Sequence, residues 1–137
     1  MPPVERVQRE VNAVKCLGDK LFGVGRYDLN TRVGLIGVYG YILGKPLLII
    51  IRTSGDFHPI ITYREFKRIY QFIDAKTTIV IIRMERVRAA SFMSALEQDG
   101  YKTVSIMITE DELKALSECH GDIVSDVIAQ IINALKQ

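Results

Sequence analysis

Two stretches without a charged residue, Leu47 to Ile51 and Thr77 to Ile82, constrain this chain most. Each is short and rich in β-branched residues, so each reads as a strand. A strand apolar on both faces belongs in the middle of a sheet that is covered above and below. A third apolar run, Val33 to Leu43, precedes the first, and Gly44-Lys45-Pro46 breaks the chain between them. Glycine allows the sharp turn and proline cannot donate to a ladder, so residues 33 to 51 predict an antiparallel hairpin. Gly34, Gly37 and Gly40 punctuate its first strand. Glycine inside a strand marks a bulge or a close approach of another part of the chain. It is not a dinucleotide fingerprint, whose glycines follow a strand and open a helix. Tyr101 to Ile108 alternates more weakly and predicts a fourth strand.

The remaining segments read as helices. Val4, Val7, Val11, Val14, Leu17 and Leu21 draw one apolar stripe over residues 4 to 22, with Pro2 and Pro3 suited to the helix entry. A loop over residues 23 to 31 follows. Thr62-Tyr63-Arg64-Glu65 has the form of a capping box and predicts a helix from Thr62, with Phe66, Ile69, Tyr70 and Ile73 inward. A helix is expected from Glu85 to Gln98, stopped by Asp99-Gly100, and another from a second capping box at Thr109 to about Cys119. Asp122 is the expected cap of a last helix reaching Leu135, whose broad apolar surface includes Ile123, Val127, Ile128, Ile131 and Leu135. That surface suits docking on the sheet and suits a subunit interface equally.

The order α-β-β-α-β-α-β-α-α predicts an α/β three-layer sandwich: a mixed four-stranded sheet with helices on both faces. The helix-containing connections predict parallel pairing with right-handed crossovers. A chain of 137 residues is one domain's worth, here residues 1–137 with a C-terminal helical extension over 109–137.

Composition narrows the function classes. The net charge of +2 conceals an asymmetry: residues 109–137 carry −4 and the preceding 108 carry +6. Residues 62–88 hold seven bases against three acids, which permits contact with a phosphate backbone. No apolar run approaches the roughly 18 residues of a membrane span. The N-terminus lacks the apolar segment of a signal peptide. The expected location is the cytoplasm, with no membrane contact. Cys16 and Cys119 match no metal spacing, and His58 and His120 lie far apart, so two reduced thiols, no metal and no cofactor are expected. Ser91 and Ser94 lack a nucleophile elbow or a neighbouring histidine, and no catalytic triad assembles.

Several basic residues are candidates for phosphate contact. Arg52 ends an apolar strand; Arg64, Lys67 and Arg68 lie along one helix; Arg83, Arg86 and Arg88 sit at a strand-to-helix junction, where α/β proteins place ligands. Each also reads as a solvated surface charge. Tyr27, Tyr39, Tyr41 and Phe57 offer faces for base stacking, although Tyr39 and Tyr41 share one face of a strand and suit core packing better.

The element order, with Ile49-Ile50-Ile51-Arg52-Thr53-Ser54 on the second hairpin strand, resembles the PD-(D/E)XK nuclease superfamily over residues 4 to 108. Archaeal Holliday-junction resolvases and RecB-type domains belong to that superfamily. Its second strand often reads Val-Glu-Val-Lys-Thr-Ser, and its acids hold magnesium that activates water against a phosphodiester. The resemblance puts the glutamate at Ile50, the lysine at Arg52 and the preceding acid at or near Gly34. It matches Glu10 to an acid of the first helix and Tyr70 to a helix tyrosine, while Phe66 stands where a glutamine is usual. With the metal-binding carboxylates missing, it implies a non-catalytic nucleic-acid-binding protein, DNA first, and a homodimer. Asp28 and Asp56 flank the motif as the acids available to rebuild a metal site. The alternative is a structural or regulatory subunit that binds protein through the C-terminal helices. A small-ligand protein with its site in the loops after the parallel strands ranks last.

Overall fold

The computed structural model describes residues 1–137. Its elements are α1 (Pro3–Leu21), β1 (Asp28–Asn30), β2 (Gly37–Ile42), β3 (Lys45–Arg52), α2 (Ile61–Ile69), β4 (Thr78–Arg83), α3 (Ala90–Gln98), β5 (Lys102–Met107), α4 (Glu110–Ser117) and α5 (Asp122–Leu135). The strands form one open mixed sheet in the order β1-β2-β3-β4-β5. The β1/β2 and β2/β3 pairs are antiparallel, and the β3/β4 and β4/β5 pairs are parallel.

The charge-free strands are central, as their composition requires. Leu47 to Ile51 and Ile79 to Ile82 have no exposed surface. Burying each such side chain contributes about 1.5–3 kcal/mol, so these two strands anchor the core. Alternation along β3 sorts its residues between the two faces. Leu47, Ile49, Ile51 and then Thr53 face α1, whose Glu10 reaches Thr53. Leu48, Ile50 and Arg52 face the other side, where Gly37 and Ile50 approach Tyr70 beyond the end of α2. Helix α4 lies against α1 and α5 against α4, while α2 lies beside α3. Helices therefore cover both faces.

The structure corrects several expectations. The sheet has five strands, not four, because Asp28–Asn30 pairs with Gly37–Tyr39 at the edge. Three residues carry no period long enough to read. The hairpin turn is Leu43-Gly44, both at positive φ (54° and 75°), and Lys45 and Pro46 already belong to β3. Two such residues match the twist of the strands they join. Helix α2 begins at Ile61, and the Thr62–Glu65 capping box does not form. Instead His58 Nδ1 accepts from the amides of Ile60 and Ile61 (3.1 and 3.0 Å), and Thr62 Oγ1 accepts from the His58 amide (2.8 Å). Helix α3 starts at Ala90, not Glu85, because residues 84–87 are held in a turn by Arg83. Asp122 makes no cap hydrogen bond; Gly121 occupies the cap of α5. The Thr109 capping box is formed, with Thr109 Oγ1 accepting from Glu112 and Glu112 Oε1 from Thr109.

Two corrections concern function. Cys16 and Cys119 are not free thiols: they form a disulfide with a Cα–Cα distance of 5.4 Å. The packing of α4 on α1 brings together residues 103 apart in sequence. Of the five residues proposed for an interface on α5, Val127, Ile131 and Leu135 lie in the chain's own core, and Ile123 and Ile128 are half-buried against it. The apolar face of α5 is spent on its own fold. No helix is long and apolar enough to cross a membrane.

Candidate phosphate-binding cleft

The parallel register makes Arg52 and Arg83 Cα partners at the carboxyl ends of β3 and β4, on the face covered by α2 and α3. The two arginines do different work. Arg83 is a brace. Its Nε donates to Ser105 Oγ (2.9 Å), and its Nη1 donates to the carbonyls of Met84, Glu85 and Val87 (3.4, 3.4 and 3.1 Å). A guanidinium gathering three carbonyls from residues 84–87 holds that stretch in a turn, and α3 starts only after it.

Arg52 is held without being consumed. Its Nε donates to the Ser54 carbonyl (3.1 Å), and its guanidinium lies over the Phe57 ring, 5.5 Å from the centroid. Phe57 stacks on the buried Phe92 at 4.9 Å. Gly34 and Gly55, both at positive φ, make the slot. A Cβ on Gly34 would stand 3.0 Å from Nη1, and one on Gly55 would stand 2.9 Å from Nη2. Burial lowers the pKa of Arg52, against the opposing pull of Glu10 and then Asp56. The group remains a cation at any ordinary pH. It opens into a cleft of about 330 Å³ whose walls include Arg32, Gly34, Asp56, Ile61 and Glu65. A second hollow of about 660 Å³ lies between the Phe57–Pro59 loop and Arg83 to Ser91, sharing Asp56 and His58 with the first.

Most other cations near this end are already paired. Asp56 accepts from the Arg88 amide (2.8 Å) and Nε (3.0 Å), which holds its carboxyl below the usual carboxylate range. Glu65 binds Arg68 at 2.6 Å and Arg32 at 3.3 Å. Lys67 meets Asp99 at 3.3 Å, and Arg86 meets Glu110 at 3.2 Å. Arg64 is exposed on α2 and stands outside these pairs. The structure thus gathers Arg52, Arg83 and Arg88 at one end, puts Arg64, Lys67 and Arg68 along α2, and sends Arg86 to α4. Arg32, Gly55, His58 and Thr53 were missed as contributors, since nothing local distinguishes them.

Behind the cleft, Glu10 is buried and accepts from the Thr53 amide (2.7 Å) and hydroxyl (2.8 Å). Arg6 donates to the same hydroxyl (3.0 Å) and also binds Glu110. Burial pushes the Glu10 carboxyl up from its ordinary 4.5, opposed by the Thr53 bonds and by Arg6 and Arg52. A raised carboxyl pKa means that the folded chain holds the proton more tightly than the unfolded one. Wild-type stability relative to Glu10→Gln therefore falls as pH rises above 4.5. Chemical denaturation of both proteins across pH tests this; a pH-independent difference would contradict it.

The positions singled out by the nuclease resemblance converge here. Gly34 abuts Arg52, Ile50 lies two residues before it, and Glu10 binds the residue after it. Tyr70 Oη, buried, donates to the Leu35 carbonyl (2.6 Å) and accepts from Asn30 (3.1 Å), tying down the loop that carries Gly34. Ile50 is enclosed and Gly34 has no side chain, so neither position can ligate a cation. Asp28 pairs with Tyr39 at the sheet edge and Asp56 is engaged by Arg88, so the two acids do not rebuild a site together. No group of three or more His, Cys, Asp or Glu residues is placed to hold a metal ion. Tyr39 is core, with its hydroxyl accepting from the Asp74 amide (3.0 Å), whereas Tyr41 is exposed.

No protein-family model matches the chain, and no curated protein or solved structure is found to be similar to it.

Proposed function

We propose that this chain is a non-catalytic nucleic-acid-binding protein, with DNA as its first ligand, on a scaffold of PD-(D/E)XK type. One observation carries the reading: the Arg52 guanidinium opens into a cleft beside Gly34 and is ion-paired with neither Asp56 nor Glu65 in the cleft walls. A fixed guanidinium fork suits phosphate oxygens. Where the nucleases hold a metal between carboxylates, this chain offers a cation of its own. A nucleic-acid role would suit the cytoplasm, whereas the Cys16–Cys119 disulfide is of a kind that persists in oxidising compartments. The competing reading, a protein-binding subunit working through α5, is weakened because three of the five residues it needs are core.

The test is binding of labelled single-stranded, duplex and four-way-junction DNA, and of RNA, over a salt series with magnesium present. Few unpaired cations face solvent near the cleft, so few counterions are released. The logarithm of the association constant should fall with the logarithm of salt at a slope of roughly −1 to −2, with no cleavage. Absence of binding at low ionic strength would remove the proposal. Cleavage would remove its non-catalytic half.

A further inference from the structure

We propose that the Arg52 cleft is a pocket for the end of a strand: it takes a terminal phosphate monoester, with the last nucleoside against Val33 and Ile61. This rests on the nucleic-acid reading and specifies its ligand.

The charge pattern argues against a strand passing through. A protein that tracks a backbone needs a row of cations free to meet successive phosphates. Here Arg32 and Arg68 share Glu65, Arg88 holds Asp56, and Lys67 holds Asp99. Four arginines and two carboxylates thus lie in or beside the cleft, leaving two positive charges in excess. One of the two is Arg52 itself; the other belongs to Arg32 and Arg68, which share Glu65. Asp56 and Glu65 also form part of the cleft walls, where the next phosphate of a continuing strand would meet like charge.

The shape agrees. About 330 Å³ lies at the small end of the range for ligand pockets, the scale of a mononucleotide rather than of a duplex. Arg52 is preset by Ser54, Phe57 and the two glycines, so little ordering is needed on binding. A monoester presents three terminal oxygens and up to two negative charges, whereas an internal diester presents two oxygens and one charge. A guanidinium fork gains more from the first. Val33 and Ile61 line the cleft and are 70% and 63% exposed. Apolar side chains left uncovered beside a fixed cation suit a ligand with an anionic head and an apolar body.

The experiment compares one sequence in four forms: 5′-phosphorylated, 3′-phosphorylated, hydroxyl-ended, and covalently closed as a circle. Fluorescence anisotropy should show at least about tenfold tighter binding to one phosphorylated end than to the hydroxyl-ended strand, with the circle weakest. Arg52→Gln should abolish that preference. Ile61→Glu, on an exposed side chain that the core does not need, should abolish it as well, so the result does not hang on the folding of one variant. Lys67→Gln should leave it intact. Equal affinity for circle and phosphorylated strand would overturn the end pocket while leaving nucleic-acid binding in place. Failure to bind any of the four would overturn both. Displacement of the strand by a peptide carboxylate in preference to inorganic phosphate would also overturn the pocket's assignment.

Discussion

Reduction of the Cys16–Cys119 bond is expected to lower the stability of the chain by about 4–5 kcal/mol. The bond closes a loop spanning 103 residues, three quarters of the chain. In the chain-entropy view, a crosslink acts by restricting the unfolded ensemble, and a loop of about 100 residues is worth about 4.7 kcal/mol. For a domain of this size, that corresponds to a fall in melting temperature of roughly 10–20 °C. Paired thermal melts with and without a thiol reductant, with free thiols counted, measure it, and Cys16→Ser with Cys119→Ser should reproduce it. An unchanged melt with both thiols free would show that the unfolded chain is already compact enough for the bond to add nothing. Folding itself should survive, because Leu113, Leu116, Val127 and Ile131 stay buried. The effect should reach the cleft weakly. Glu110, at the start of α4, binds Arg6, and Arg6 donates to Thr53 next to Arg52.

Phe92→Ala should be the most damaging single substitution near the cleft, at about 3–5 kcal/mol. Phe92 has no exposed surface, stacks on Phe57 at 4.9 Å and meets Phe66 edge-on at 5.9 Å. Truncation removes the floor under Phe57, and Phe57 is what Arg52 rests on. Stability and phosphate binding should therefore fall together. Urea denaturation gives the first, and titration with a phosphorylated oligonucleotide, at a urea-free temperature where the variant is folded, gives the second. Ser91→Ala, at an exposed neighbour, should change stability by less than about 0.5 kcal/mol. A Phe92→Ala protein that binds as wild type would show that the Arg52 slot is set by Ser54 and the two glycines alone.

Much of the architecture is local information. Charge-free runs announced β3 and β4, because a fully buried strand cannot carry an unpaired charge. The apolar stripe of α1 and the Thr109 capping box were equally legible, since every residue needed lies within one or a few turns. The glycines of β2 marked close approach, and Gly37 and Gly40 do pack against the Ile49 carbonyl with Tyr70, and against Phe22.

The site was legible only in part. Arg52 stood out as the charge that ends an apolar strand, but sequence could not separate it from Arg83 or Arg88. What distinguishes them is each one's partner: three carbonyls for Arg83, Asp56 for Arg88, a ring and an open cleft for Arg52. The capping box at Thr62 was outcompeted by His58, whose ring nitrogen reaches the same helix end. The wide apolar face of α5 read equally as core or interface, and only its position against the chain's own core decided for core. The sequence by itself determined which segments must be buried and in what order they alternate, because burial and period are properties of neighbouring residues. Tertiary structure decided the disulfide, the ion pairs and the guanidinium held open in the cleft. Each of these is a contact between residues far apart in the chain, and no local pattern encodes which distant partner arrives.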